Sequence, residues 1–479
     1  MNESPELIAT SVVTAALTKM PEVLEFGTLF SEAGFECALV GGPVRDLLLG
    51  RQIKDLDFTT NATPEQMQKF LAPWADTIWD IGIEFGTLGV RRGNFQAEVT
   101  TYRSEKYDEA SRKPVVTFGT DLADDLMRRD FTINAMAIRV PQLEFVDLYE
   151  GVNDLMRKLI RTPRDAELSF SDDPLRMMRA ARFASQLGFT PVADVIIAAT
   201  EMSERISIVS AERISDEFSK LLLGAYPVVG LEILDGTKLT EYFLPELPAL
   251  QLEIDEHHRH KDVYEHSLKV LQQAVDLETS HSPNLEPDLI LRLAALLHDI
   301  GKPKTRRFET GGSVSFHHHE IVGAKLARKR LVALRYPNDV IDSVCKLIAL
   351  HLRFHGYGSG QWTDSAVRRY VRDAEDELVR LHKLTRADCT TRNQRRALIL
   401  AATYDDLEQR IAVLSEQEEL NSIRPDLDGR QIMEILDIPP GPLVGKAYDY
   451  LLNCRLDEGP LEYDQAVSRL KTWWAEQAH

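Results

Sequence analysis

Between Asn2 and about Gly34 the apolar residues Leu7, Ile8, Val12, Leu17, Val23, Leu24, Phe26, Leu29 and Phe30 recur at helical spacing, which predicts two leading helices with a packing role. The apolar run Ala38 to Val40 predicts a strand that ends at Gly41 and Gly42, where a turn without side chains lets the backbone approach a triphosphate. Arg45 and Asp46 then open a short helix. Leu56 alternates with Asp55 and Asp57, and strand side chains at i and i+2 share a face, so both carboxylates point the same way. Thr63 is the expected N-cap of the next helix, with Pro64 at its first position, Gln66 at its third, and an end at Phe70 or Leu71. Trp79 to Val90 and Phe95 to Tyr102 read as strands, which makes a small mixed sheet with helices behind it. Residues 103–125 are polar and proline-interrupted, and read as a mobile loop.

Farther on the pattern is helical. Ser210 to Gly224 and Leu231 to Phe243 are amphipathic, and in the last part Leu407, Ile411 and Leu414 form a core-facing stripe that Trp473 and Trp474 close. The fold class is therefore α+β. A small mixed-sheet head (1–163) precedes a helical neck and body (164–256), a histidine-rich helical region (257–392) and a C-terminal helical region (393–479).

The 479 residues fit three or four domains. A net charge of −19 argues against polyanion binding by the whole surface, so any nucleic-acid contact is local. Basic clusters at Arg157 to Arg164, Lys302 to Arg307, Lys325 to Arg330, Arg368 to Arg372 and Arg392 to Arg396 are mostly solvated helix faces. Cys37, Cys345, Cys389 and Cys454 make no Cys-x-x-Cys pair, which argues against a zinc knuckle or disulfide framework and for a reducing cytoplasm. No signal-peptide pattern and no run of 18 apolar residues is present, so the expectation is a soluble cytoplasmic protein with no membrane partner.

Asp55 and Asp57 repel each other unless a cation lies between them, and hard oxygen ligands suit Mg²⁺ bridging substrate phosphates. The plain alternative is a surface hairpin with solvated acids, which the preceding Gly-Gly turn and Arg45 make less attractive. Glu98, on the later strand, is a candidate third carboxylate or an ion-pair partner. Arg128 and Arg129 begin the packed segment Arg-Arg-Asp-Phe-Thr-Ile-Asn-Ala and match phosphate oxygens as planar forks. Asp173, Arg176, Arg179 and Arg182 fall at steps of three along an expected helix, with Phe183 beside them. A carboxylate accepts from the exocyclic amino group of C or A while a guanidinium donates to N3 of C or N1 of A; uracil and guanine present the opposite pattern. On spacing alone a salt-bridged exposed stripe is the competing reading.

In this order, the Gly-Gly-x-x-Arg-Asp turn with Asp55 and Asp57, the Arg128 to Ala135 octapeptide, Asp147 to Gly151 with Asp154, the stretch Asp172 to Phe183 and the pair Glu212-Arg213 resemble the class II tRNA nucleotidyltransferases and bacterial poly(A) polymerases of the polymerase β-like superfamily. The resemblance implies template-independent, two-metal addition of CCA to tRNA from CTP and ATP, in the actinobacterial type. It assigns Asp55 and Asp57 to Mg²⁺ and catalysis, with Glu98 beside them. Gly41, Gly42, Arg45, Arg129, Arg179 and Arg182 would line the nucleotide, and Asp173 with Arg176 would select the base. Asp172 stands where the family usually has Glu. A poly(A) polymerase or a split CC- or A-adding enzyme shares these residues.

Twelve of the 13 histidines lie between His257 and His382, and His298-Asp299 sits in Leu291 to Pro303 after an apolar helix. This resembles an HD domain, a metal-dependent phosphohydrolase fold. His266, His298, Asp299 and Asp388 match its basic pattern, and His319 and His351 the further ligands of binuclear members. The implied metal is Mn, Fe, Ni or Zn. His257, His258, His260, His317 and His318 read as surface residues or as residues behind the site. Asp428-Gly429 to Lys446 resembles the RNA-contacting C-terminal segment of the same transferases; its Gly-x₃-Gly-Lys lacks the spacing of a phosphate loop. Two other classes compete: an HD phosphohydrolase with a vestigial transferase head, and a non-catalytic RNA-binding regulator.

Overall fold

The computed structural model describes residues 4–53, 55–82, 86–106, 115–118, 121–251, 263–281, 286–310, 314–354, 362–391, 393–418 and 423–477. The chain forms two compact units, Met1–Phe243 and Leu244–His479.

In the first unit two leading helices form as the periodicity predicts, α1 (Pro5–Leu17) and α2 (Pro21–Glu32). α1, however, buries Ala9, Val13 and Leu17 and leaves Leu7, Ile8 and Val12 outward. Its apolar residues cover more than one stripe, and packing selected the smaller one. Seven strands make one mixed sheet: β1 (Cys37–Val40), β2 (Asp57–Thr60), β3 (Thr77–Gly82), β4 (Thr87–Arg92), β5 (Phe95–Thr101), β8 (Met136–Arg139) and β9 (Glu144–Asp147), in the order β3-β4-β5-β2-β1-β8-β9. The pair β2–β5 is parallel and the other neighbours are antiparallel. Alternation along β1 serves two cores, Cys37 and Leu39 on the face with Phe26, Phe30 and Phe58, Ala38 and Val40 on the face with Tyr102, Leu122 and Leu126.

Three expectations change here. The span 79–90 is a hairpin of β3 and β4 rather than one strand; the chain reverses near Gly86, at φ +77°. The span 103–125 carries a separate antiparallel pair, β6 (Arg103–Lys106) with β7 (Val115–Phe118), and then α5 (Leu122–Met127), capped by Asp121; residues 107–114 and 119–120 lie outside the described residues. Asp55 does not share a strand with Asp57. The register that pairs Leu39 with Phe58 runs out where Gly41 turns into α3 (Gly42–Leu48), so β2 has no β1 partner before Asp57. Arg45 and Asp46 accordingly sit inside that helix, which opens at Gly42. The Thr63–Gln66 capping box of α4 (Pro64–Leu71) forms with both reciprocal bonds.

After α6 (Gly151–Arg157) the unit becomes helical: α7 (Ala166–Asp172), α8 (Leu175–Leu187), α9 (Ala193–Glu201), α10 (Ala211–Leu222), α11 (Pro227–Gly236) and α12 (Thr240–Phe243). A short parallel pair, β10 (Leu159–Ile160) with β11 (Thr190–Pro191), ties the sheet's exit to this region. α8 packs on α10 and α11. The amphipathic span 231–243 is divided between α11 and α12, with a break at Lys238, whose φ is +62°.

Among its described residues the second unit is helical apart from one strand pair, β12 (Arg307–Phe308) with β13 (Val314–Ser315). Its helices are α13 (Val263–His281), α14 (Leu289–Leu297), α15 (Lys302–Thr305), α16 (His319–Ala333), α17 (Asn338–Leu350), α18 (Asp364–Ala374), α19 (Leu378–Asp388), α20 (Gln394–Glu418), α21 (Gly429–Leu436), α22 (Pro442–Glu458) and α23 (Tyr463–Gln477). α14, buried along nearly its whole length, packs on α13, α17 and α19. Leu407, Ile411 and Leu414 are buried as expected. Trp473 closes the small core of Leu427, Ile432, Leu451 and Leu470 and stacks on Tyr450 at 5.2 Å. Among the described residues no single helix is long and apolar enough to cross a membrane.

Candidate active sites

A cleft of about 430 Å³ in the first unit is lined by Val40, Asp57, Phe58, Glu98, Thr100, Asp125, Arg128, Arg129, Asp173 and Arg176. Its floor is the parallel junction of β2 and β5, whose register sets Asp57 beside Glu98. Burial and the neighbouring Glu98 raise the Asp57 carboxyl above its ordinary value, with Arg129 opposing and Asp55 adding to the rise. Two carboxylates in this position fit a cation between them. Asp55 itself is exposed, just before the strand.

Beside the carboxylates the chain leaves β1 through Gly41, at φ +75°, where a Cβ would meet Arg129 Nη1 at 2.9 Å. The bare turn and this guanidinium therefore face each other. Arg129 also pairs with Asp125 at 3.2 Å, and its Nε is buried with no hydrogen-bond partner. A buried, unsatisfied donor over a glycine turn suits an anionic oxygen.

Asp173 and the three arginines do not share one helix. Asp173 is extended at the break between α7 and α8; its Oδ1 caps Leu175 N at 3.1 Å and its Oδ2 accepts from Arg213 at 2.8 Å. Pro174 forces the break, since the residue before proline is driven out of the helical region. Asp172, the departure from the family pattern, pairs with Arg164. Arg176 reaches back to Ser169 Oγ at 2.8 Å and to the carbonyl of Arg128.

Arg179 and Arg182 turn inward with Arg45, and the three guanidiniums surround the Phe183 ring at 5.6, 4.3 and 5.2 Å. Glu217, buried on α10, accepts from Arg179 at 3.1 Å and pairs with Arg182 at 3.1 Å. Burial and Arg179 pull Arg182 down to about 10. Arg45 is held by Asn134 Oδ1 at 2.8 Å. Asp130 joins the cluster, accepting from Arg179 Nε at 2.8 Å, from Asn134 at 3.0 Å and from Phe131 N at 2.8 Å. The sequence reading missed Asp130 and Glu217 as organisers. Asp130 was visible in the octapeptide, whereas Glu217 resembles any polar helix residue until its neighbours are known.

Burial opposes the Asp130 carboxylate, but Arg179 and Asn134 outweigh it and hold Asp130 well below the usual range. A lowered native pKa contributes stability above the unfolded carboxylate value, and that stability is lost as pH falls toward the native one. Asp130→Ala is expected to destabilise the first unit by about 2–3 kcal/mol at pH 7, because it strands a partly buried guanidinium. The difference from the parent should shrink below about pH 4. Urea unfolding at both pH values checks this; an unchanged midpoint at pH 7 refutes it.

In the second unit the six expected ligands come together although they arise from α13, the α14 exit, α16, the α17 exit and α19. His266, His298 and Asp388 form one group and Asp299, His319 and His351 another, each with ligand atoms within 4.8 Å of one another. Asp299 spans both, 3.2 Å from His298 Nε2 through Oδ2 and 3.2 Å from His319 Nε2 through Oδ1. The Nδ1 atoms of His298, His319 and His351 contact the carbonyls of Ala295 at 2.9 Å, Phe316 at 2.8 Å and Ile348 at 2.7 Å. A carbonyl only accepts, so each Nδ1 carries a proton and each ring turns its Nε2 inward, the atom left to bind a cation. His319 Nε2 is buried without a hydrogen-bond partner. Burial, then His298, lowers His351 to about 3 and keeps it neutral. His298 is raised despite its burial, by Asp299 and Asp388; a cation among the same carboxylates would take that proton's place. The donor set thus fits a divalent metal, and Asp299 faces both groups of ligand atoms. His317 and His318 stand outside the cluster, and His257, His258 and His260 lie outside the described residues.

Comparison with known proteins agrees with this division. Residues 37–161 match the poly(A) polymerase head domain, 188–250 the family described as a probable RNA and SrmB-binding site of polymerase A, and 263–393 the HD domain. A CCA-adding enzyme of Pediococcus pentosaceus is 43% identical over 212 residues, 44% of this chain and 52% of that protein. One from Lactobacillus delbrueckii is 45% identical over 213 residues, again 44% of this chain and 52% of the relative. The chain thus spans about half the length of the curated relatives it matches. In overall fold it is similar to the Bacillus stearothermophilus CCA-adding enzyme in complex with CTP, with a TM-score of 0.69 and 24% identity over 96% of this chain and 98% of that one. It is also similar to the Thermotoga maritima CCA-adding enzyme complexed with tRNA, with a TM-score of 0.60 and 17% identity over 95% and 96% of the two chains.

Proposed function

We propose that this chain, a class II nucleotidyltransferase, adds C, C and A to the 3′ end of tRNA from CTP and ATP, releasing pyrophosphate. The observation that carries the reading is the single cleft in which Asp57 and Glu98 face Arg128, Arg129, Asp173 and Arg176. Asp55, Asp57 and Glu98 would hold Mg²⁺, which when bound activates the attacking 3′-hydroxyl and stabilises the leaving pyrophosphate. Gly41 and Gly42 let the backbone approach the triphosphate while Arg129, with its unpartnered Nε, binds its oxygens. Arg45, Arg179 and Arg182, fixed around Phe183, shape the nucleotide's wall and balance its charge. Asp173 accepts from the exocyclic amino group of C or A, and Arg176 donates to the adjacent ring nitrogen. Arg213 and the Leu175 amide aim the Asp173 carboxylate, so the protein pair takes the place of a template.

The decisive experiment supplies the purified protein with a tRNA lacking its 3′ CCA and with each nucleotide separately. Successive C, C and A incorporation is expected; A alone would mark an A-adding enzyme or poly(A) polymerase. Asp173→Ala or Arg176→Ala should slow CTP and ATP use and reduce discrimination against UTP and GTP by about 10-fold or more, the loss of one bidentate contact of roughly 1–3 kcal/mol. Unchanged selectivity in single-nucleotide incorporation refutes the base-selection role.

A second activity is favoured by the six-ligand cluster. His266, His298, Asp299, His319, His351 and Asp388 would hold Mn, Fe, Ni or Zn, which supplies an activated water. Hydrolysis of an RNA 2′,3′-cyclic phosphate adds water across one P–O bond, and the released ribose oxygen takes the proton; a second water cleaves the remaining monoester, releasing inorganic phosphate and the hydroxyl that the transferase needs. On this reading residues 1–163 transfer, 164–256 select the base, 257–392 hydrolyse and 393–479 contact RNA, with Gly441 to Lys446 at a tRNA phosphate. The four cysteines are all free, in accord with a reducing cytoplasm.

A further inference from the structure

We propose that the strand pair between the ligands Asp299 and His319 is a stacking platform for the last base of a single-stranded RNA, which makes the substrate of the HD cluster a polynucleotide end rather than a free nucleotide. The inference rests on the phosphoesterase reading and specifies its substrate. The chain leaves the cluster at Lys302, whose Nζ donates to Asp299 Oδ2 at 2.6 Å and lies 5.7 Å from the centre of the Phe316 ring. It runs through α15 into β12, returns through β13, and re-enters at Phe316, whose carbonyl holds His319 Nδ1 at 2.8 Å. The segments that flank the pair, at Lys302 and Phe316, are therefore both held by residues of the cluster.

At its tip Phe308 is 71% exposed, the most open large aromatic among the described residues. The Arg306 guanidinium lies 4.8 Å from its ring centre. Lys304 and Arg307 are exposed beside it, and among the described residues Lys304, Arg306 and Arg307 make no ion pair. Glu309, the nearby acid, is engaged by Ser315 Oγ. In a chain of net charge −19, Lys304, Arg306 and Arg307 gather around an open aromatic ring and outnumber the one adjacent acid, Glu309, which makes the patch complementary to a polyanion. The aromatic face asks for a base, the cations for backbone phosphates, and the histidine and aspartate cluster, on the phosphoesterase reading, for a phosphoester. A single-stranded RNA 3′ end meets all three demands, whereas a mononucleotide held at the cluster offers no flanking phosphates to the basic patch.

The test uses the full chain with Mn²⁺ or Ni²⁺ and two substrates, uridine 2′,3′-cyclic phosphate and an RNA hexamer ending in a 2′,3′-cyclic phosphate. The hexamer is expected to have a kcat/KM at least about 10-fold higher. Phe308→Ala should lower that preference about 10-fold, chiefly through KM, in line with one lost base–aromatic stack. Phe308→Trp should retain it. Equal use of both substrates by the parent, or an undiminished preference in Phe308→Ala, overturns the proposal. Should neither substrate be hydrolysed, the phosphoesterase reading itself falls, and crosslinking judges the platform. A hexamer carrying 4-thiouridine as its last base should, on irradiation, form an adduct on the peptide containing Arg306 to Phe308. Adducts only elsewhere, or none, refute it.

Discussion

Asp57→Ala is expected to reduce nucleotide addition by about 10³-fold or more while the head stays folded. The metal clamp supplies several kcal/mol of charge stabilisation in the transition state, and each 1.36 kcal/mol is tenfold in rate. Asp57 is the carboxylate fixed by strand pairing, opposite Glu98 across β2 and β5. The loss should not reflect unfolding. The Asp57 pKa is raised in the native state, so its ionised form opposes folding at neutral pH, and removing it leaves the head as stable as the parent or slightly more so. The same sign means that this opposition fades as pH falls through the raised native pKa. Single-turnover incorporation into a tRNA lacking CCA, paired with a thermal melt, separates the two effects. Incorporation within about tenfold of the parent at ordinary Mg²⁺ would falsify the clamp. Asp55→Ala should also be impaired, by less than Asp57→Ala, because Asp55 is exposed and stands outside the strand.

His298→Gln should remove bound transition metal and lower phosphoesterase activity by about 10²–10³-fold, because four imidazoles and two carboxylates fall into two neighbouring groups of three and His298 belongs to one of them. Glutamine is chosen over alanine because His298 is fully buried, and alanine would add a cavity to the loss of a ligand. Nucleotide addition, which draws no residue from this cluster, should remain within about twofold of the parent on the same free-energy scale. Elemental analysis of the purified protein and a nucleoside 2′,3′-cyclic phosphate assay with Mn²⁺, Ni²⁺ and Mg²⁺ provide the readouts. A parent with neither metal nor turnover leaves the cluster without the proposed chemistry, and a His298→Gln variant that keeps both reassigns it.

The sequence by itself determined the elements whose causes are local. The Thr63–Gln66 box closes within one helical turn, Gly41 supplies the positive φ of the strand-to-helix turn, and α2 follows from its own apolar repeat. The resemblance to an HD domain also picked out the six histidines and aspartates that the structure brings together, through His298-Asp299 at the end of an apolar helix. Partnership was left to the tertiary structure. Whether 79–90 is one strand or two depends on a turn and on pairing with β5, and alternation alone does not encode either. Which apolar stripe of α1 is buried was likewise decided by what packs on it. Asp55 lost its place on the strand because β1 ends at Val40, and its pairing with β2 stops at Leu39 and Phe58, far apart in sequence but neighbours in space. The steps of three from Asp173 to Arg182 suggested one exposed face, yet Pro174 breaks the helix. Asp130 and Glu217, contributed by other segments, then turn Arg179 and Arg182 inward. Caps and periodicity act over a few residues and can be read along the chain, whereas register, burial and charge pairing are set by residues far apart in sequence.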